Sequence, residues 1–238
     1  MKLVLRDGVA VVTGAASGIG RATALALAAR GCHLALADRN AAGLEETAHQ
    51  AEERGVRVSR HPLDVTDGEA VAALPEAVLG AHGRVTVLLN NAGVSLVGRF
   101  EEVKMEEFRW LLEINFFAVV ALTDAFLPIL LRQEQAQIVN VSSLFGIIAP
   151  AEQTAYSASK FAVRGFSEAL RHELEGSPVG VTVVHPGGVR TAIATSARVA
   201  AAADPEEAAA SAAKFTRRAL RLSPEKAAAT LVRAIERR

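Results

Sequence analysis

Six short apolar runs recur along the chain: GVAVVTG, HLALAD, VRVSRHPLD, RVTVLLNN, QIVNVSS and GVTVVHP. Each is separated from the next by a longer stretch that can hold a helix, and VAVV, VTVLL and VTVV are apolar almost without interruption. A strand with one wet face alternates apolar and polar residues; a strand covered on both faces has no position that meets water. The pattern therefore predicts βαβ units. It specifies an α/β fold with a doubly wound parallel sheet, Rossmann-like, and helices on both faces. Helix starts are legible at Asp204-Pro205-Glu206-Glu207 and at Ser223-Pro224-Glu225, where a cap residue, a first-turn proline and early acids follow in order. The alanine-rich stretch 200–213 consists of strong helix formers and reads as a helix, not a linker. No boundary divides residues 1–238, so a single domain is expected.

Composition removes several partners. The 26 basic and 26 acidic side chains cancel, which favours neither nucleic acid nor an anionic membrane nor a polyanionic substrate, and leaves a small molecule as the expected ligand. Cys32 is the only cysteine and lies in the apolar run CHLALAD, so neither a disulfide framework nor a cysteine metal site is available, and a reducing cytoplasm is the expected location. The six histidines show no H-E-x-x-H or similar spacing; no metal is expected, and His185 reads as the end of its strand. The start MKLVLRDGVAVVTG is basic only at Lys2 and Arg6 and lacks a small-residue cleavage site, so it is not read as a signal peptide. No uninterrupted apolar run reaches the roughly 18 to 20 residues that cross a bilayer, and a soluble chain is expected. The glutamate pairs at 101–102 and 106–107 read as solvated faces.

In an open parallel sheet, ligands bind beyond the carboxyl ends of the strands, near the point where strand order reverses. The unusual residues fall at those ends. TGAASGIG (13–20) follows the first run, Asp38 ends the second and Asp64 the third; NNAG (90–93) follows the fourth, Ser142 and Ser143 the fifth, and HPGG (185–188) the sixth. Glycines at a strand-to-helix turn let backbone N–H groups at a helix start approach a pyrophosphate. Asp38, about 20 residues after the glycines, stands where an acid can take a ribose hydroxyl. The single tyrosine, Tyr156, precedes Lys160 by four residues in YSASK. On a helix that spacing puts both on one face with Cβ atoms about 5 to 6 Å apart.

Taken together, TGAASGIG, NNAG, Ser143, YSASK and PGGVRT resemble the short-chain dehydrogenase/reductase family in its single-domain form, over residues 8 to about 191. The resemblance implies hydride transfer between a nicotinamide cofactor and a secondary alcohol or ketone, with Tyr156 as the acid/base. A free phenol titrates near 10, and bringing it near 7 takes roughly 4 kcal/mol. Attraction to the Lys160 ammonium at about 4 Å in an effective dielectric of about 20 is also about 4 kcal/mol, so Lys160, helped by the positive charge of an oxidised nicotinamide, is sufficient in size. Lys160 would also hold ribose hydroxyls. Ser143 would bond the substrate oxygen, with Ser142 as the nearest alternative. Asn115, in LLEINFFAVV, is similar to the family asparagine that bends its helix and links the lysine to water; the alternative is a core amide satisfied by backbone.

The resemblance further implies cofactor contacts from Gly14, Ser17, Gly18, Ile19 and Gly20, from Asp38 and Arg39, and from Asp64 and Val65 at the adenine edge. It adds Asn91, Ala92 and Gly93, then Tyr156 and Lys160, then Pro186, Gly187, Val189 and Thr191. NAD is expected over NADP, because the Asp38 carboxylate repels a 2′-phosphate and Ser17 is neutral where NADP-preferring members often carry a basic residue. Arg39 either lies over the adenine or, if Asp38 swings away, grips a phosphate. Val94, Leu96, Val97, Leu144, Phe145, Ile147, Ile148 and Pro150 flank the site and suit a hydrophobic substrate. Segment 192–222 corresponds to the variable, helical substrate loop. Helical stretches 104–132 and 154–175 match those that pair between subunits, so a homodimer or homotetramer is expected. Family members usually finish on a seventh strand, whereas here the last helix runs to AIERR, which leaves the contacts at that edge open. Two rival readings are a non-catalytic dinucleotide-binding regulator or scaffold, against which the intact Ser143, Tyr156 and Lys160 count, and a sugar-nucleotide epimerase or dehydratase, which would want a longer chain.

Overall fold

The computed structural model describes residues 3–191, 193, 196–204 and 221–237. Its elements are β1 (Val9–Thr13), α1 (Gly18–Ala28), β2 (His33–Asp38), α2 (Ala41–Glu52), β3 (Val58–Pro62), α3 (Gly68–His82), β4 (Val87–Asn90) and β5 (Leu96–Val97). There follow α4 (Met105–Leu112), α5 (Ala118–Leu130), β6 (Ala136–Val141), α6 (Thr154–Glu173), β7 (Val179–Val184), β8 (Arg198–Val199) and α7 (Pro224–Arg237). Six strands form one parallel sheet in the order β3-β2-β1-β4-β6-β7, and β5 and β8 form a separate parallel pair. Strand order runs outward in both directions from the centre, so the crevice between the ends of β1 and β4 is the switch point.

The four central strands, β2, β1, β4 and β6, are dry on both sides, which explains their apolar runs. Ala10, Val12, Leu34, Leu36, Val87, Leu89 and Val139 join one core with Leu27 of α1, Leu44 of α2 and Ile235 of α7. Val11, Ala35, Leu88 and Ile138, one residue out of step, join the other with Val78 of α3, Phe126 of α5 and Leu170 of α6. Alternate side chains thus enter opposite layers. Hydrogen-bonded amides cross the second layer: Asn90 Nδ2 donates to Asn140 Oδ1 at 2.9 Å, and Asn140 Nδ2 donates to Ser167 Oγ at 2.9 Å. All three residues are buried. They tie β4 and β6 to α6 at one register, because a buried amide left unpaired would cost roughly 1 to 3 kcal/mol.

Three sequence expectations change. α4, a π-type turn at Glu113–Phe117 and α5 run together as one helix, long and apolar enough by length and composition to cross a membrane. No single apolar run in the sequence reveals it, and Leu122, Phe126 and Leu130 pack it onto the sheet instead. The helix expected over 200–213 does not begin there: residues 200–204 form a turn after β8, and 205–213 lie outside the described residues, as do 192, 194–195 and 214–220 of the substrate-loop segment. Of the pair at 106–107, Glu106 is exposed but Glu107 is 9% exposed, its carboxylate accepting from the amides of Lys104 at 3.1 Å and Ala201 at 3.3 Å. An acid in a helix's first turn reaches back to uncapped amides, and here the loop packed on α4 closes over it.

At the β3 edge, the Ser59 hydroxyl lies 2.7 Å from His61 Nε2 and 2.9 Å from His82 Nε2. Burial, followed by the charges of Arg57, His33 and His61, pushes the His82 pKa down from 6.5 to about 4. The folded state therefore keeps His82 neutral at a pH where the unfolded chain takes up a proton. Its contribution to stability is whole above pH 6.5 and is lost as pH falls toward 4. Calorimetry across that window should find a shallower fall in melting temperature for His82→Gln than for the unaltered protein; equal slopes would remove His82 from the acid response.

Candidate active site

The turn between β1 and α1 is shaped by two glycines. Gly14 adopts the left-handed backbone at φ +65°, and Gly20 sits so close to it that a Cβ there would lie 2.0 Å from the Gly14 carbonyl oxygen. Neighbouring side chains hold the turn by its backbone groups. Thr47 Oγ1 donates to the Ala15 carbonyl at 2.9 Å, Arg21 donates to the Ala16 carbonyl at 2.6 Å, and Asn91 Nδ2 donates to the carbonyls of Thr13 at 2.9 Å and Gly14 at 3.2 Å. Thr13 Oγ1 in turn accepts from the amides of Asn91 and Ala92. Ser17 begins α1 without a side-chain cap, and the first turn contains no acid. Such a helix start offers unpaired N–H groups and a positive end to an anion.

Asp38 ends β2 beside this turn, its Oδ2 accepting from the Ala16 amide at 3.0 Å and its Oδ1 from the Asn40 amide at 2.9 Å. Each oxygen retains a further lone pair for a hydroxyl. The amide and hydroxyl of Thr66, and less strongly the charge of Arg39, hold the Asp64 carboxyl below the usual carboxylate range. Thr191 closes the far side, where a Cβ on Gly18 would lie 3.1 Å from its methyl. A cradle that any side chain would fill, an open helix start and an acid at the next strand end together suit a dinucleotide.

The second group of polar residues lies on α6 and the end of β6. Lys160 is buried against the cleft, its ammonium donating to the Val141 carbonyl at 3.1 Å and standing 5.7 Å from the centre of the Tyr156 ring. Burial pushes the Lys160 pKa down to about 8. Burial also pushes the Tyr156 phenol above its ordinary value, while a side-chain hydrogen bond with Ser143 opposes that rise. The lowered phenol expected from the sequence counted on the charge of an oxidised nicotinamide beside Lys160; in the free protein burial prevails and raises it. Loss of hydration penalises both charged forms, and the lysine is bonded to backbone rather than to the phenol. The two adjacent serines part company here. Ser142 Oγ donates to the Lys160 carbonyl at 2.9 Å, away from the phenol, whereas Ser143 Oγ faces Tyr156 and accepts from the Phe145 amide at 3.1 Å. His185 does more than end its strand: Nδ1 lies 3.0 Å from the Ser143 carbonyl.

Asn115 lies in the π-type turn with no exposed surface. Its Oδ1 accepts from the Val94 amide at 2.8 Å, and its Nδ2 donates to the Val94 carbonyl at 3.0 Å and to Ser159 Oγ at 3.1 Å. Gly93 stands between it and the lysine: a Cβ there would be 3.1 Å from Asn115 Oδ1 and 3.5 Å from Lys160 Nζ.

One cleft of about 1350 Å3 joins the two groups, and every site residue named from the sequence lines it except Gly20 and Asn115, which lie beneath. Of the apolar residues expected to flank the substrate, Val94, Val97, Leu144, Phe145 and Pro150 line the cleft. Leu96 instead belongs to the core, since alternation in β5 turns it inward, and Ile147 and Ile148 are 48% and 49% exposed outside the cleft. The sequence reading missed Trp110, Ile114, Glu152, Gln153 and Arg198, which also line it. Glu152 carries the one local signal, a non-glycine residue at φ 65° just before α6. Gln153 follows it at the start of α6, and Trp110, Ile114 and Arg198 are supplied by α4, the π-type turn and β8, whose approach to the site is decided by chain packing.

Comparison with known proteins agrees with this geometry. The family model described as short chain dehydrogenase matches residues 8–202. SadH of Mycobacterium tuberculosis is 45% identical over 229 residues, covering 95% of this chain and 82% of its own length. A short chain dehydrogenase/reductase from Burkholderia phymatum, solved in complex with NAD, superposes with a TM-score of 0.91 at 33% identity, covering 99% of this chain and 88% of that one. An alcohol dehydrogenase from Thermococcus sibiricus, complexed with 5-hydroxy-NADP, superposes with a TM-score of 0.82 at 31% identity, covering 96% and 90%. A matching family model over most of the chain, close relatives and a cleft at the sheet's switch point lead to one conclusion: the chain belongs to the short-chain dehydrogenase/reductase family.

Proposed function

We propose that this protein is an NAD-dependent oxidoreductase that interconverts a hydrophobic secondary alcohol and its ketone. The observation that carries the reading is the pairing of the Ser143 and Tyr156 hydroxyls on the wall of the cleft, with Lys160 buried behind them. A bound nicotinamide dinucleotide supplies or accepts the hydride. In the reducing direction, Tyr156 enters protonated, as its burial favours, and gives its proton to the carbonyl oxygen. Ser143 donates a hydrogen bond to the same oxygen and so fixes the orientation of the reacting carbon. Lys160 offers its remaining N–H groups to ribose hydroxyls, and its positive charge stabilises the phenolate left after proton transfer. Asn115 acts through position, holding the Val94 backbone and the α6 residue Ser159 around Gly93. Apolar lining from Val97, Phe145 and Trp110 favours an apolar substrate.

With Cys32 as its single cysteine the sequence offers no disulfide framework of the kind secreted domains use, and on that ground we place the protein in the cytoplasm. Cell fractionation tests that placement, and recovery in an oxidising compartment would contradict it. Phe117 and Phe161, 50% and 41% exposed on the long helices, give those helices an apolar surface suited to a second copy.

Tyr156→Phe should abolish nearly all turnover and leave cofactor affinity within a few fold, while Lys160→Ala should damage both. A Phe variant retaining more than about a tenth of the rate would remove Tyr156 from the chemistry, since a positioned acid contributes roughly 100-fold or more. A 2′-phosphate about 4 Å from Asp38 would meet a repulsion of roughly 1 to 4 kcal/mol. The kcat/KM for NAD should therefore exceed that for NADP by roughly ten- to several-hundred-fold, and Asp38→Ala should erase most of the gap. Equal values before substitution, or an unchanged ratio after it, would refute the role of Asp38. Light scattering should give a dimer or tetramer at micromolar concentration, and Phe161→Glu should shift it toward the 25.0 kDa monomer. A monomer before substitution would exclude the assembly.

A further inference from the structure

We propose that Glu107 is a positioning residue: it fastens segment 196–203 to α4, and thereby fixes a wall of the substrate pocket whose apolar plate is Trp110. The inference rests on the reading that the substrate enters this cleft beside Tyr156. Three kinds of contact hold the segment, one to β5 and two to α4. β5 and β8 pair at Leu96 with Arg198 and at Val97 with Val199, with Arg198 donating its amide to the Ser95 carbonyl and Ala200 to the Val97 carbonyl, both at 2.9 Å. The Arg198 guanidinium lies over the Trp110 indole, 4.3 Å from its centre. The buried Glu107 Oε2 accepts from the Ala201 amide at 3.3 Å while also accepting from the Lys104 amide at 3.1 Å.

A two-residue ladder is too short to be stable alone, so the contacts that flank it decide whether it forms. Glu107 and Trp110 are three residues apart and share one face of α4. That face therefore presents both the acceptor that grips the segment and the ring that the segment covers. Gly98 permits the approach: a Cβ there would lie 2.5 Å from the Ala200 Cβ. Trp110, Arg198, Val199, Ala200 and Ala201 all line the cleft, so the position of the segment sets the width and polarity of the space beside the catalytic hydroxyls. Glu107 itself stays out of the chemistry, since its known partners are backbone amides.

Trp110 is the only tryptophan, so indole fluorescence reports this wall directly. Glu107→Ala should shift its emission to the red, raise acrylamide quenching severalfold and speed hydrogen exchange at the amides of Arg198 and Ala200. NADH binding, followed by fluorescence of the dinucleotide, should stay within about twofold. For an apolar secondary alcohol, KM should rise by about tenfold with kcat little changed, the size expected for losing one charge-assisted hydrogen bond. Glu107→Gln keeps an acceptor oxygen and should restore near-normal values; Arg198→Ala, which leaves α4 intact, should raise quenching and KM without disturbing the fold. Unchanged quenching and exchange in Glu107→Ala, or an opened wall with unchanged KM, would overturn the inference. If the unaltered protein oxidised no alcohol in a broad panel, the catalytic reading would fall, while quenching and exchange would still decide whether Glu107 holds the wall.

Discussion

A single close approach governs the site: the start of α1 packs against the turn at Gly14, leaving no room for a Cβ on Gly20. The contact brings the helix start to the centre of the sheet, where strand order reverses. A turn this tight leaves backbone carbonyls with few local partners, and buried carbonyls require donors. Thr47, Arg21 and Asn91 provide them, each from a different element, so the turn is also where α1, α2 and the loop after β4 are joined. Asp38 completes the brace by accepting from Ala16. Two of the residues that we propose meet a cofactor, Asn91 and Asp38, therefore also hold the fold's central turn.

The opposite half of the cleft is organised by burial. α6 is tied to β4 and β6 through Asn90, Asn140 and Ser167, and to the helix opposite through Asn115 and Ser159. These bonds hold Tyr156 and Lys160 where neither can be well hydrated. Burial then acts against the charged form of each, raising the phenol and lowering the ammonium. The phenol is thus neutral at rest, while the lysine, with its pKa lowered only to about 8, keeps its charge at neutral pH and stands ready to stabilise a phenolate. This differs from a standing ion pair, and it follows from geometry: the lysine reaches a carbonyl of β6, not the phenolic oxygen.

The substrate side is assembled by short, far-separated pieces. β5 contributes Val97 and β8 contributes Arg198 and Val199, and side chains of α4 flank their pairing. Glu107 looks like half of an exposed acidic pair in the sequence. It becomes a buried anchor only because a distant segment offers an amide at the right place.

The sequence by itself determined the sheet, its two dry faces and the strand ends where polar residues collect, because uninterrupted apolar runs and glycine turns are local consequences of burial and backbone sterics. Helix periodicity likewise put Tyr156 and Lys160 on one face and the end of the second apolar run marked Asp38, whereas Ser143 was singled out from Ser142 by the family resemblance. Only the tertiary structure decided what depends on separate segments meeting: that Ser142 turns to the Lys160 carbonyl while Ser143 faces the phenol, that Leu96 is core while Trp110 is lining, and that Glu107 is buried. Whether a side chain meets solvent, a cleft or a neighbour is set by packing between elements far apart in the chain, and no local pattern encodes that.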